Sequence, residues 1–416
     1  MYLDSKVDTV KYKNGLESIL ISDKNSFVTA IIVFVRVGSV DEKPSQAGLA
    51  HFLEHIMFKG SKNYPGDLMS RKVENMGGCI NAVTSKEFTA YFISVQRCGV
   101  IESIKMLADA IQNPLFIQNE IDREKNVVVE EIDRHFDDPL TVLYEKYYKT
   151  IYTTSVLRNS IIGTSDVVLN VSRVKICNYY KTHYIPEKMV VAVSGNFDEG
   201  SVMETINETF GKFKKHPRLK DPLVVEKVLK GNNIIECGNV ELGYMLLGFI
   251  GPGVIGNDIY ATELIANILG SCKSSRLYKI LYREKHLVYS IDSSFMVEMG
   301  SGNICVMSIF NPKNIEEIKN EIITQFENIA HGRISDEEVN RAKPSIQTNW
   351  KFSLETSFDI AYMYGYWCLM GNPEFVTEYL KRVKNLTASD IKKIFRRYYS
   401  HEKISSVVLL PKTSYL

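Results

Sequence analysis

Asn170-Val-Ser-Arg-Val-Lys-Ile-Cys-Asn-Tyr-Tyr-Lys-Thr-His-Tyr-Ile-Pro-Glu-Lys188 falls, after a shift of 215 positions and without a gap, on Asn385-Leu-Thr-Ala-Ser-Asp-Ile-Lys-Lys-Ile-Phe-Arg-Arg-Tyr-Tyr-Ser-His-Glu-Lys403. Asn170 meets Asn385, Ser172 meets Thr387, Ile176 meets Ile391 and Tyr180 meets Phe395. Tyr184 meets Tyr399, and Glu187-Lys188 meets Glu402-Lys403. Each copy predicts a capped helix followed by a strand, at 189–193 and again at 405–410. A period near half the chain implies two copies of one domain. The 416 residues suffice for two domains of roughly 200 residues each.

The boundary between the copies is expected between Gly211 and Gly231. That stretch carries Lys212, Lys214, Lys215, Arg218, Lys220, Lys227 and Lys230, with Pro217 and Pro222. A solvated linker accounts for such a run. The division is therefore 1–215, a linker at 216–230, and 231–416. Strand patterns resume at 233–237 and 242–250, and the apolar run 27–35 reads as a buried strand. Helices are predicted at 46–58, 66–76, 101–112, 119–135 and 171–183. In the second half they fall at 258–269, 274–285, 314–330, 335–365 and 387–399. Ser335 and Glu338 form a capping box, and Pro344 is expected to kink or split the helix that follows. Strands followed by helices, rather than a strict alternation, give an α+β class: two antiparallel sheets, each with helices packed mainly on one face.

The chemistry lies in the first half. His51-Phe-Leu-Glu54-His55 places two histidines four residues apart on a helix, one above the other and within reach of one metal ion. This is the inverted zinc-peptidase signature. Leu49, Phe52, Leu53 and Ile56 form a buried stripe, and His51, Glu54 and His55 centre on the opposite side. Zinc held by two histidines needs another protein ligand and an open position for water. The segment 119–135 offers Glu124, Glu130 and Glu131, with Ile121, Val128 and Ile132 as its buried stripe. Glu124 and Glu131 are two turns apart and share a face, while Glu130 points to solvent. Glu131 is the better third ligand, and Glu124 the carboxylate that orients a ligand. Glu54, lying between two ligands, is left as the general base that takes a proton from water.

With these residues in place, the chain resembles the pitrilysin and mitochondrial processing peptidase family, in its half-length bacterial form. Gly38-Ser-Val-Asp-Glu42 leads into Gly48-Leu-Ala-His-Phe-Leu-Glu-His-Ile-Met-Phe-Lys-Gly60. Gly77-Gly-Cys-Ile-Asn-Ala-Val-Thr84 resembles the family's G-G-x-x-N-A-x-T strand, and Glu124 to Glu131 its distal glutamate segment. Ser274-Ser-Arg-Leu-Tyr278 and Leu287-Val-Tyr-Ser290 extend the likeness into the second half.

The resemblance implies a zinc endopeptidase with one Zn2+ per chain, acting on extended peptides or unfolded proteins. Its metal residues map to His51, His55 and Glu131, and its catalytic carboxylates to Glu54 and Glu124. Gly78, Asn81 and Ala82 lie on a strand that would take substrate by edge pairing. The family's substrate-contacting arginine stands seven residues before a tyrosine. The tyrosine matches Tyr289, but seven residues back is Tyr282, and the arginine is Arg283, turned about 100° away on a regular helix. Arg283 therefore reaches the site by a local shift, or that function is weakened. Half-length chains are expected to pair, as a homodimer or as a heterodimer with a sister chain. A catalytic subunit of a two-chain processing peptidase and a non-catalytic scaffold or core subunit stand as the alternatives.

Bulk properties narrow the remaining classes. A composition 45% hydrophobic and 24% charged is that of an ordinary globular protein. The formal net charge of +1 gives no argument for nucleic acid or an anionic membrane. The first residues lack a signal-peptide pattern. The seven cysteines, with no C-x-x-C pair, fit a reducing compartment, so a cytoplasmic location is expected. Cys79 is read as a small buried residue.

Overall fold

A computed structural model describes residues 7–214, 226 and 230–412, so the expected linker 216–230 lies outside the described residues apart from Glu226 and Lys230. The strands are β1 (Val7–Lys11), β2 (Glu17–Ser22), β3 (Thr29–Val35), β4 (Cys79–Thr84), β5 (Thr89–Val95) and β6 (Met189–Gly195). The second set is β7 (Asn233–Gly238), β8 (Gly243–Gly251), β9 (Val288–Met296), β10 (Gly302–Phe310) and β11 (Ser405–Pro411). The helices up to the linker are α1 (Leu49–Met57), α2 (Leu68–Asn75), α3 (Val100–Gln112), α4 (Gln118–Asp137), α5 (Pro139–Ile151), α6 (Ser165–Asn170), α7 (Arg173–His183) and α8 (Glu199–Glu208). After it come α9 (Ile259–Leu269), α10 (Ile315–Ala330), α11 (Asp336–Phe352), α12 (Ser357–Leu369), α13 (Phe375–Asn385) and α14 (Ala388–Tyr398), with a π-helix at Tyr278–Glu284.

The first sheet runs β1-β2-β6-β3-β5-β4, and the second β7-β11-β8-β10-β9. Remove β1 and the two orders are the same, strand for strand. Each sheet has one parallel pair, β2 with β6 and β7 with β11, and is otherwise antiparallel. The sheets are thus mixed where purely antiparallel ones were expected. The parallel pair arises because the last strand of each copy, β6 or β11, inserts beside the strand that begins the shared order, β2 or β7. The repeat is visible in the elements themselves. Helices α7 and α14 lie 215 positions apart at both ends, and the short turns Pro186–Lys188 and His401–Lys403 keep the same shift. Ser172 and Thr387 cap them alike, each side chain accepting from a backbone N–H three residues on.

The compact units are not continuous segments. Among the described residues, one unit draws on 1–133, 159–221 and 351–377, and the other on 134–158, 222–350 and 378–416. Helix α5, expected within 1–215, packs on β11 and β8 of the second sheet. Its counterpart in the repeat, α12, packs on β6, β3 and β2 of the first. Both placements need room at a glycine. A Cβ on Gly365 of α12 would stand 2.4 Å from the Phe34 ring, and one on Gly248 of β8 would stand 2.5 Å from the Tyr147 hydroxyl of α5.

In the first unit, helices α1, α3, α4, α7 and α8 share one apolar core with the sheet, including Ile31, Val33 and Val35. The other face of β3 meets α12. Every residue of β3 is therefore buried, as a strand covered on both faces requires. The strand begins at Thr29, and Phe27 before it is 91% exposed, contrary to the buried run expected from residue 27. The helix expected at 335–365 is split, but not at Pro344, which sits inside α11. The break comes at Thr356, whose hydroxyl and backbone N–H pair with Asp359 in a capping box that starts α12. Ser335 and Glu338 form the other box, as expected.

Candidate metal centre

Helix α1 is anchored as its stripe predicts, with Leu49, Phe52, Leu53 and Ile56 all buried. It has no side-chain cap of its own. Gly48 precedes it at φ +92°, where a Cβ would stand 2.7 Å from the Ile162 carbonyl oxygen. Glu42 caps it from a distance: its carboxylate accepts from Gly48 N at 2.8 Å and Ala50 N at 2.7 Å. A negative group at a helix N-terminus is favoured by the helix dipole. Burial nevertheless pushes the Glu42 carboxyl up to about 8, against the pull of those donors.

Helix α4 buries Ile121, Glu124, Val128 and Ile132 and exposes Glu130. The two helices meet through their polar sides. His55 Nε2 lies 3.3 Å from Glu131 Oε2, and His51 Nε2 lies 3.8 Å from Glu131 Oε1. His51, His55 and Glu131 each offer one ligand atom, all within 4.8 Å of one another. Two ligands about 2.1 Å from one tetrahedral ion stand about 3.4 Å apart, so this donor set fits zinc after a small contraction. His55 Nδ1 lies 3.2 Å from Glu124 Oε2, and Lys59 Nζ 2.6 Å from Glu124 Oε1. Glu130 contributes no atom to the cluster.

Glu54, on the same helix as His51 and His55, is not one of the three donors. The Thr84 hydroxyl on β4 donates to its Oε2 at 2.5 Å. Burial raises the Glu54 carboxyl above its usual value, while the Thr84 bond opposes that rise. A half-buried carboxylate with a raised proton affinity suits a general base.

Strand β4 lies at the end of the first sheet and pairs only with β5 among the described residues, so its outer edge is open. Its exposure alternates: Ile80, Ala82 and Thr84 are half-buried, whereas Cys79, Asn81 and Val83 are exposed. Cys79 is therefore not buried, because its parity on an edge strand puts it opposite the side that reaches α1. All seven cysteines are free. Gly78 packs under Val95, whose Cγ1 would be 2.4 Å from an added Cβ. Asn81 Oδ1 accepts from Ala82 N.

Arg283 and Tyr289 belong to the second unit. Tyr289, on β9, is 59% exposed. Arg283 sits in the π-helix, its guanidinium carbon 5.7 Å from the centre of the Tyr278 ring. In α9, Glu263 and Asn267 are spaced as His51 and His55 are in α1. Their polar atoms are engaged locally, Glu263 by the Tyr379 hydroxyl and Asn267 by Ser345 at 3.3 Å.

Family models extend these observations. Residues 18–165 match the insulinase model of peptidase family M16, and residues 170–345 match the model described as the M16 inactive domain. The chain belongs to peptidase family M16. A Rickettsia bellii relative described as an uncharacterized zinc protease is 28% identical to this M16 chain over 402 residues, 96% of each. The zinc protease PqqE of Helicobacter pylori is 26% identical over 413 residues, 98% of this chain and 93% of that one. The crystal structure of a protease from Helicobacter pylori superposes with a TM-score of 0.91 at 26% identity, covering 98% of this chain and all of that one. No helix among the described residues is long and apolar enough to cross a membrane.

Sequence reasoning overlooked three groups. Glu42 is seven residues before α1 and forms no local capping pattern. The Thr84 bond to Glu54 joins residues 30 positions apart. Lys59 did carry a signal, standing one turn beyond His55 in the series 51, 55, 59.

Proposed function

We propose that this M16 chain is a zinc metalloendopeptidase cleaving extended peptides or unfolded proteins. The observation that carries the reading is the convergence of His51, His55 and Glu131 within 4.8 Å, with Glu54 held beside them by Thr84. His51, His55 and Glu131 hold one Zn2+, which when bound supplies Lewis acidity toward the peptide carbonyl and acidifies water. Glu54 takes the proton of the attacking water and passes it to the leaving amine. Glu124 fixes the orientation of His55. The open edge of β4 takes the substrate backbone through main-chain hydrogen bonds, with Gly78, Asn81 and Ala82 on that strand. Arg283 and Tyr289 assist substrate binding. A homodimer is the assembly this reading favours, with a sister-chain heterodimer as the alternative.

Strand pairing requires an extended chain, so a stably folded protein should be cleaved far more slowly than its denatured fragments in a competition assay. Equal cleavage of both would refute backbone pairing at an open edge. Sedimentation of the same preparation tests the assembly, and a fully active monomer contradicts both dimers.

A further inference from the structure

Helices α1 and α4 meet in a ladder. Glu131 lies against His51 and His55, and two turns earlier on α4 Glu124 lies against His55 and Lys59. Each carboxylate thus spans two successive turns of the α1 side. The last rung has a different chemistry from the rest. A neutral imidazole brings a donor but no charge, whereas Lys59 brings an ammonium.

The Glu124 side chain is only 9% exposed. A carboxylate so placed is costly unless its charge is balanced and its oxygens are bonded. Its two oxygens face different partners, Oε2 toward His55 Nδ1 at 3.2 Å and Oε1 toward Lys59 Nζ at 2.6 Å. A carboxylate oxygen accepts and a ring N–H donates, so this contact favours the His55 tautomer with its proton on Nδ1. Nε2, on the Glu131 side, then keeps its lone pair.

Building on the metal-site reading above, we propose that Lys59 is a positioning residue of the metal centre. Its ammonium holds Glu124 where that carboxylate orients His55 and fixes its tautomer. Lys59 touches neither the metal position nor the substrate. Its side chain is 40% exposed, so its replacement leaves the core intact.

The test is a double-mutant cycle read in zinc affinity, by competition with a chelator, on the full chain. Lys59→Met should weaken zinc binding by about tenfold, the lower end of the loss on removing an outer-shell partner. Lys59→Arg should restore most of it. In a Glu124→Gln background the same Lys59→Met change should have little further effect, because no carboxylate charge remains to be held. The melting temperature of the metal-free protein should be the same with and without Lys59→Met. Wild-type affinity in Lys59→Met overturns the proposal, as does a loss that persists undiminished beside Glu124→Gln. A loss of zinc matched by a loss of metal-free stability assigns Lys59 a plain structural role and overturns it too. Wild-type protein that binds no zinc overturns the metal-site reading itself, which separates that failure from the failure of Lys59.

Discussion

Glu54→Gln should retain zinc and lose peptide cleavage. The substitution keeps the size of the side chain and leaves an amide oxygen to accept from Thr84, whose hydroxyl now bonds the carboxylate at 2.5 Å. What disappears is the group that takes a proton. Removing a positioned general base typically costs roughly a hundred- to ten-thousandfold in rate. The cluster of His51, His55 and Glu131 is untouched, so metal content should match wild type. Turnover and bound zinc measured on one preparation decide the matter. Near-wild-type turnover, or complete loss of zinc from a correctly folded protein, would show that Glu54 has another role.

The second large effect separates two adjacent carboxylates. Glu131→Gln should weaken zinc binding by more than the ~10–100-fold seen when an outer-shell partner is lost, since a ligand itself is removed. Glu130→Gln should leave affinity unchanged and alter stability by less than about 0.5 kcal/mol, as surface changes do. The physical difference is one step of about 100° on α4. That step puts Glu131 3.3 Å from His55 and leaves Glu130 exposed on the helix surface. A metal titration that ranks the two variants in the opposite order contradicts this assignment of faces.

Some of this architecture is legible in the residues, and for a physical reason. Periodicity reports which face of an element is buried, and a gapless repeat reports that two stretches fold alike. Hence α7 and α14, their caps, and the stripes of α1 and α4 follow from sequence. Periodicity does not report which sheet a helix covers. Helix α5 has one apolar face and α12 is apolar nearly all round, patterns that either sheet would satisfy. Only packing shows that each lies on the sheet of the other copy, through close approaches at Gly248 and Gly365. Pro344 does not split the helix that holds it, whereas Thr356 and Asp359 supply the start signal where the break comes. Cys79 is exposed rather than buried because alternation along the edge strand β4 turns it away from α1.

The site divides along the same line. His51, Glu54, His55 and Glu131 sit at helical spacings within short segments, so their convergence is a matter of local geometry plus one helix-helix contact. The groups that hold them in place come from elsewhere in the chain. Glu42 reaches back from a turn to the start of α1, Thr84 reaches in from β4, and Lys59 meets Glu124 across 65 positions. Apart from Lys59, one turn beyond His55, these groups carry no sequence period. Arg283 lies between these cases: its one-residue displacement is visible in sequence, but the π-winding in which it sits is not.

The central claim is that this M16 chain hydrolyses peptides through a metal held by two histidines and a glutamate. Its most direct test is cleavage of an unstructured reporter peptide by the purified chain, followed through metal removal with a chelator and stepwise return of zinc. The account predicts that cleavage disappears on chelation and returns in proportion to bound zinc, reaching its plateau at one ion per chain. Cleavage that persists after the metal is gone, or zinc that returns to full occupancy without any cleavage, would contradict it.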